Sequence, residues 1–146
     1  MKIFQLTPEK FDEFYPLVQS MIAEAEFSLA NPDKEQIRLM TTMPTFVVFL
    51  AEKDGKLIGF IAGMVQRYFF SLRERVTDMG FYVLPDHRGT SAAIRLIGAL
   101  ENWTKEMNVD DLYIGQTTAI NIEKTQKFYS HLGYKTVGFN TVKHLH

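Results

Sequence analysis

The sequence predicts an α/β fold, an α+β mixed sheet with flanking helices, and three observations predict it. Between Thr45 and Leu84, runs rich in β-branched and aromatic residues are separated by short turn signals, which reads as three successive antiparallel strands. Between Asp78 and Met107 the pattern changes across one short turn from a strand to an amphipathic helix. A further apolar run, Asp111 to Gly115, follows that helix. Strand, helix and strand in this order make a right-handed crossover, so the last strand lies parallel to Met79–Leu84.

Each element has its own signal. Lys2 to Leu6 reads as a short opening strand. Thr7-Pro8 starts a helix, with a hydroxyl cap and proline at the first helical position. Phe11, Phe14, Tyr15, Val18, Met21, Ile22 and Ala25 recur on one face of it. Pro16 lies inside that pattern and predicts a kink or a split. Asn31-Pro32 opens a shorter helix through about Met40. Thr45–Glu52 is a strand, Asp54-Gly55 a two-residue hairpin turn, and Leu57–Phe70 a long return arm. Gly59 and Gly63 within that arm predict a bulge or a close neighbour. Ser71–Glu74 is a turn, and Arg75–Leu84 the next strand, stopped by Pro85-Asp86. The helix that follows shows Ala93, Leu96, Ile97, Leu100, Trp103 and Met107 on one stripe. Asn121–Leu132 is a last helix, ended by Gly133 in a left-handed cap, and Tyr134–Leu145 supplies one or two final strands around Gly138.

Composition narrows the function classes. The length of 146 residues suits one domain, and 46% hydrophobic with 23% charged residues is ordinary globular usage. A net charge of −1 with no basic run argues against nucleic acid as a partner. The absence of cysteine removes disulfides, thiolate zinc sites and a cysteine nucleophile. Met1-Lys2-Ile3-Phe4 gives way at once to polar residues, and no apolar run approaches a membrane span. The expectation is a soluble cytoplasmic protein without membrane contact.

The turn between Leu84 and the long helix is the first candidate site. A helix N-terminus presents N–H groups with no intrahelical partner and a partial positive charge, which suits an anion. Arg88 adds a full charge beside Gly89, Thr90 and Ser91. An anion site and a plain strand–turn–helix connection are both compatible with these residues. No Lys-Ser/Thr pair follows a glycine as in a Walker loop, and Gly89 alone does not make a dinucleotide fingerprint. Tyr68-Phe69-Phe70 reads as strand core or pocket wall. His87, His131, His144 and His146 provide no evident set of three metal ligands, so no metal is expected.

With these elements in place, the chain resembles the GNAT superfamily of acetyl-CoA-dependent N-acetyltransferases. The order of elements carries the resemblance over most of the chain. So does FYVLPDHRGTSAA, which is similar to that family's pyrophosphate loop, Arg/Gln-x-x-Gly-x-Gly/Ala, at Arg88, Gly89, Thr90, Ser91, Ala92 and Ala93. Lys127-Phe128-Tyr129-Ser130-His131-Leu132-Gly133-Tyr134 is similar to its FYxxLGF/Y segment. Two positions depart from the pattern. Ser91 stands where the central loop glycine is usual, and Asn121 lies one residue before the place of the family's cofactor-contacting asparagine, which Ile122 occupies.

The resemblance implies a GNAT-like acyl-CoA N-acyltransferase fold with a splayed pair of parallel strands. It implies that pantetheine pairs with the backbone of Phe81 and Val83, that pyrophosphate sits on Gly89 to Ala93 with Arg88 adding charge, and that Asn121 and Tyr129 contact the cofactor. It implies Tyr129 as general acid toward the departing thiolate. Asp78 is either the general base or a strand-end carboxylate, with Glu74 and Glu52 as weaker candidates for the base. The implied reaction is direct acetyl transfer to a small-molecule or protein amine in a ternary complex, in a possible homodimer. A CoA-binding module without catalysis is the alternative. The acceptor pocket is expected along Leu29–Thr45 and Tyr68–Arg75.

Overall fold

Asp54 and Gly55 both take positive φ, 52° and 79°, and join β2 (Phe46–Lys53) to β3 (Lys56–Arg67) in the tight turn their identities predict. The computed structural model describes residues 1–25, 31–116 and 120–146. β1 (Lys2–Gln5) pairs antiparallel with β2, β3 pairs antiparallel with β4 (Glu74–Val83), and β5 (Leu112–Tyr113) lies parallel to β4. The sheet order is β1-β2-β3-β4-β5.

Period-two alternation sorts the strand side chains onto two faces. On one face Val48, Leu50, Phe60 and Tyr82 pack against Phe11, Phe14, Leu17 and Val18 of α1 (Phe11–Glu24), joined by Ile37 of α2 (Lys34–Thr41). On the other, Val47, Ile58, Ile61 and Val76 pack against Leu96, Ile97, Leu100 and Trp103 of α3 (Ala92–Glu106). Phe128, Tyr129 and Leu132 of α4 (Ile122–His131) border that second cluster.

Two glycines in β3 have steric reasons. A Cβ on Gly63 would lie 2.6 Å from Leu100 Cδ1, and one on Gly59 would lie 2.8 Å from the Tyr82 carbonyl oxygen. The β3–β4 register shifts at Ala62/Gly63, because Ala62 pairs with Gly80 and Gly63 with Asp78. Met79 is therefore the extra residue of a bulge in β4.

Several boundaries differ from the sequence reading. Pro16 does not split α1, which runs unbroken from Phe11 to Glu24. It sits on the exposed face, where the Asp12 carbonyl that loses its donor can turn to water. The cap of α2 is Asp33, whose carboxylate accepts the Gln36 N–H at 2.9 Å, rather than Asn31. β3 ends at Arg67, and Phe69 and Phe70 are exposed in the turn that follows, so they form no strand core. β5 shrinks to two residues. No strand follows α4, and Val137, Phe139, Val142 and Leu145 all lie exposed. A two-residue β5 offers too short an edge to template another strand.

Gly63→Ala is expected to destabilise by about 1–3 kcal/mol, because the fully buried Leu100 has no room to retreat. Urea denaturation checks this. The double variant Gly63→Ala/Leu100→Ala is expected to lose less than the sum of the two single losses.

Candidate active site

The parallel pair is short, and that shortness makes the site. β5 pairs only with Val76 and Thr77, with the Val76 N–H reaching the Asp111 carbonyl at 2.9 Å. From Asp78 onward no strand among the described residues pairs with β4 on that side. The bulge at Met79 then decides which backbone groups face the opening. The Leu84 N–H bonds Ile58 of β3 at 2.8 Å, so the N–H groups of Phe81 and Val83 point the other way, into the wedge.

Among the described residues one link crosses the wedge at its apex. The Asp78 carboxylate accepts the Gly115 N–H at 3.0 Å, standing in for a strand hydrogen bond. The Gly115 carbonyl in turn accepts the Tyr129 hydroxyl at 3.2 Å. The two side chains that the sequence singles out for proton transfer are thus held by one residue just beyond β5. Burial raises the Asp78 pKa to about 6, partly opposed by the Gly115 N–H. Burial pushes the Tyr129 phenol up too, reinforced by the Asp78 charge and by Tyr134, so it stays protonated across the neutral range. The Tyr129 and Tyr134 ring centroids are 6.1 Å apart, and the Tyr134 hydroxyl reaches Glu101 at 3.2 Å.

The loop at the open end runs through a 3₁₀ turn, Pro85–His87, into α3. Gly89 has φ of 82° and no atom within 4 Å of a would-be Cβ, so glycine is needed for conformation rather than for space. The Thr90 hydroxyl donates to the His87 carbonyl at 2.7 Å and accepts the Ala92 N–H at 3.3 Å, which fixes the turn. Ser91 is the N-cap of α3 at φ −75°, ψ −1°, and its side chain caps nothing. A glycine is therefore not required at position 91. The first-turn N–H groups of α3 point out of the helix where an anion can take them.

Arg88 is placed otherwise than the sequence suggests. Its Nε donates to the Val83 carbonyl at 2.9 Å, its Nη2 lies 2.6 Å from the Glu24 carboxylate, and its guanidinium covers the Tyr82 ring at 5.4 Å. The charge expected for an anion is spent on the end of α1. Asn121 precedes α4 at φ 49°, ψ 59°, and its side chain makes no cap hydrogen bond to that helix. Glu74 is exposed, and Glu52 pairs with Lys10 at 3.7 Å on β2, so neither shares the wedge with Asp78. The roles of Gly115 and Glu24 were not legible in the sequence. Each depends on a contact across 37 and 64 residues, and neither belongs to a recognisable local pattern. Of the stretches expected to form the acceptor pocket, Leu29 and Ala30 lie outside the described residues.

Comparison with known proteins establishes the family and the fold. The profile of the acetyltransferase (GNAT) family matches residues 10–134. The chain belongs to the GNAT acetyltransferase family. Among curated protein sequences none matches significantly. A ribosomal-protein-alanine N-acetyltransferase from Brucella melitensis biovar Abortus 2308 superposes with a TM-score of 0.77 at 23% identity, over 99% of this chain and 98% of that one. The aminoglycoside enzyme AAC(6')-Iy, in complex with a CoA-containing bisubstrate analogue, gives 0.79 at 20% identity, over 99% and 97%. An aminoglycoside acetyltransferase from an uncultured soil metagenomic sample gives 0.76 at 19%, over 98% and 96%. Likeness at these identities establishes the shared fold. Among the described residues no helix is long and apolar enough to cross a membrane.

The raised Asp78 pKa has a signed consequence. Between about pH 4 and about pH 6 the folded state binds more protons than the unfolded chain, so stability falls as pH rises through that window. Chemical denaturation across pH 4–7 is expected to show this fall in the wild type, and Asp78→Asn is expected to flatten it.

Proposed function

We propose that this chain is an N-acetyltransferase, one domain that moves the acetyl group of acetyl-CoA to a primary amine by direct attack in a ternary complex. One observation carries the reading: the opening between β4 and β5, with Phe81 and Val83 facing it, Asp78 and Tyr129 at its apex and the N-terminus of α3 at its mouth.

In this reading the pantetheine arm adds to β4 as a strand would, using the free backbone groups of Phe81 and the N–H of Val83. The Val83 carbonyl is already engaged by Arg88. The pyrophosphate lies on the N–H groups from Gly89 to Ala93. Since Arg88 is paired with Glu24, the helix terminus supplies most of the attraction and Arg88 mainly shapes the loop. Asn121 and Tyr129 border the cofactor on the α4 side.

An acceptor amine with a pKa near ~10.4 is almost wholly protonated at neutral pH. Asp78, with a pKa of about 6, is ionised there and takes the amine proton directly or through water. The neutral nitrogen attacks the thioester carbonyl, a backbone N–H near Val83 stabilises the oxyanion, and the C–S bond breaks. The Tyr129 hydroxyl then protonates the leaving thiolate, and the second proton shed by the acylated nitrogen restores the phenol through solvent. The raised Tyr129 pKa makes the thiolate step uphill on its own, and it is driven by acylation of the amine. No cysteine exists to carry an acetyl group, which favours direct transfer.

Acetyl-CoA binding by calorimetry, and thiol release against an amine panel, test the proposal. Tyr129→Phe is expected to lower kcat by about 10²–10³-fold with little change in the acetyl-CoA Kd. Asp78→Asn is expected to remove a limb near pH 6 from the kcat/KM profile. Binding without turnover for every amine, with Tyr129→Phe indistinguishable from wild type, would instead favour a non-catalytic CoA-binding module.

A further inference from the structure

The helix that carries Tyr129 is weakly seated. No residue of α4 is fully buried, and Phe128, Tyr129 and Leu132 only border the cluster beneath α3. A group that moves a proton has to be held within about 0.5 Å of its productive place, by neighbours that are themselves fixed. The Tyr129 hydroxyl has one proton, and in this structure it goes to the Gly115 carbonyl. That bond is given up when the proton is transferred, so it cannot aim the ring during the step. The aim has to come from packing behind the ring.

The end of α4 supplies it. Gly133 takes φ of 92°, its N–H returns to the Ser130 carbonyl at 3.0 Å, and the Tyr134 N–H returns to the Tyr129 carbonyl at 3.0 Å. This pair of bonds is a Schellman stop, which folds the residue after the glycine back over the last helical turn. Tyr134 is thereby laid against Tyr129, with ring centroids 6.1 Å apart and planes at 55°. The far end of the Tyr134 ring is tied to another helix, because its hydroxyl donates to Glu101 Oε1 at 3.2 Å. Glu101 follows Leu100, which is fully buried together with Leu96 and Ile97, so the acceptor rides on a firmly seated helix. Among the described residues no other hydrogen bond joins the chain from α4 onward to α3. Burial and the Glu101 charge both raise the Tyr134 pKa, so its hydroxyl remains the donor across the neutral range.

We propose that Glu101 and Tyr134 are positioning residues for Tyr129: the tether from α3 fixes the ring that backs Tyr129 and so aims the Tyr129 hydroxyl into the wedge. This rests on the acetyltransferase reading and adds to it two residues that act through its general acid. The hydroxyl at position 134 is the informative group. Phenylalanine there keeps the helix stop and the ring contact and drops only the tether.

Kinetics and a fluorine probe test it. In turnover with acetyl-CoA and an amine that the wild type acetylates, Tyr134→Phe and Glu101→Ala are each expected to lower kcat about tenfold, with the acetyl-CoA Kd from calorimetry unchanged within about twofold. Glu101→Gln, which keeps an acceptor, is expected to recover most of the loss. In a Tyr129→Phe background neither substitution is expected to lower kcat further, because the group they act on is gone. In protein labelled with 3-fluorotyrosine, the Tyr129 fluorine resonance is identified by its loss in Tyr129→Phe. It is expected to shift and broaden in Tyr134→Phe and Glu101→Ala, and to return in Glu101→Gln. An unmoved resonance overturns the assignment. So does a kcat loss of the same size in the Tyr129→Phe background, or one matched by weaker acetyl-CoA binding, which marks a general loosening of α4. If acetyl-CoA does not bind and no amine releases thiol, the acetyltransferase reading fails. The fluorine resonance then still decides whether Glu101 and Tyr134 hold the Tyr129 ring.

Discussion

The organising constraint is the early departure of β5 from β4. A sheet satisfies its backbone by continuing to pair, and β4 stops doing so on one side after Thr77. The open backbone groups are compensated at one point, where the Asp78 side chain takes the Gly115 N–H. That substitution explains why a carboxylate can be both partly buried and well held. It also explains the shifted proton affinity, since the same position that receives a strand donor is withdrawn from water. The bulge at Met79 then sets the phase of everything downstream, turning Phe81 and Val83 toward the gap rather than toward β3.

Much of this was legible in the chain. The hairpin at Asp54-Gly55, the apolar stripe of α3 and the left-handed stop at Gly133, with φ of 92°, follow from local rules that tertiary packing did not overturn. Gly63 signalled a close neighbour and has one in Leu100. The misreadings share a cause. Tyr68-Phe69-Phe70 and Tyr134–Leu145 have strand-like composition, yet strand formation needs an edge to pair with, and neither segment finds one. Pro16 was judged by its identity, whereas its exposed position on α1 decided the outcome.

The candidate site divides along the same line. Asp78 and Tyr129 could be singled out because each sits in a recognisable stretch, and the fold brings both to Gly115. Arg88 was read as charge for a ligand because its partner, Glu24, lies at the end of a helix 64 residues earlier. Once paired, the arginine ties the turn before α3 to the end of α1, and the anion-attracting character of the turn falls to oriented peptide dipoles.

The turn before α3 contains a single stereochemical demand. Gly89 must visit the left-handed region, whereas position 91 needs only an ordinary helical torsion, which serine supplies as readily as any small residue. These two loop positions are thus unequal: the first, 89, is dictated by backbone handedness, and the second, 91, is open to exchange. Chains that keep the first and vary the second retain the same cradle of amides, and their loop patterns will look more degenerate on paper than their shapes are in space.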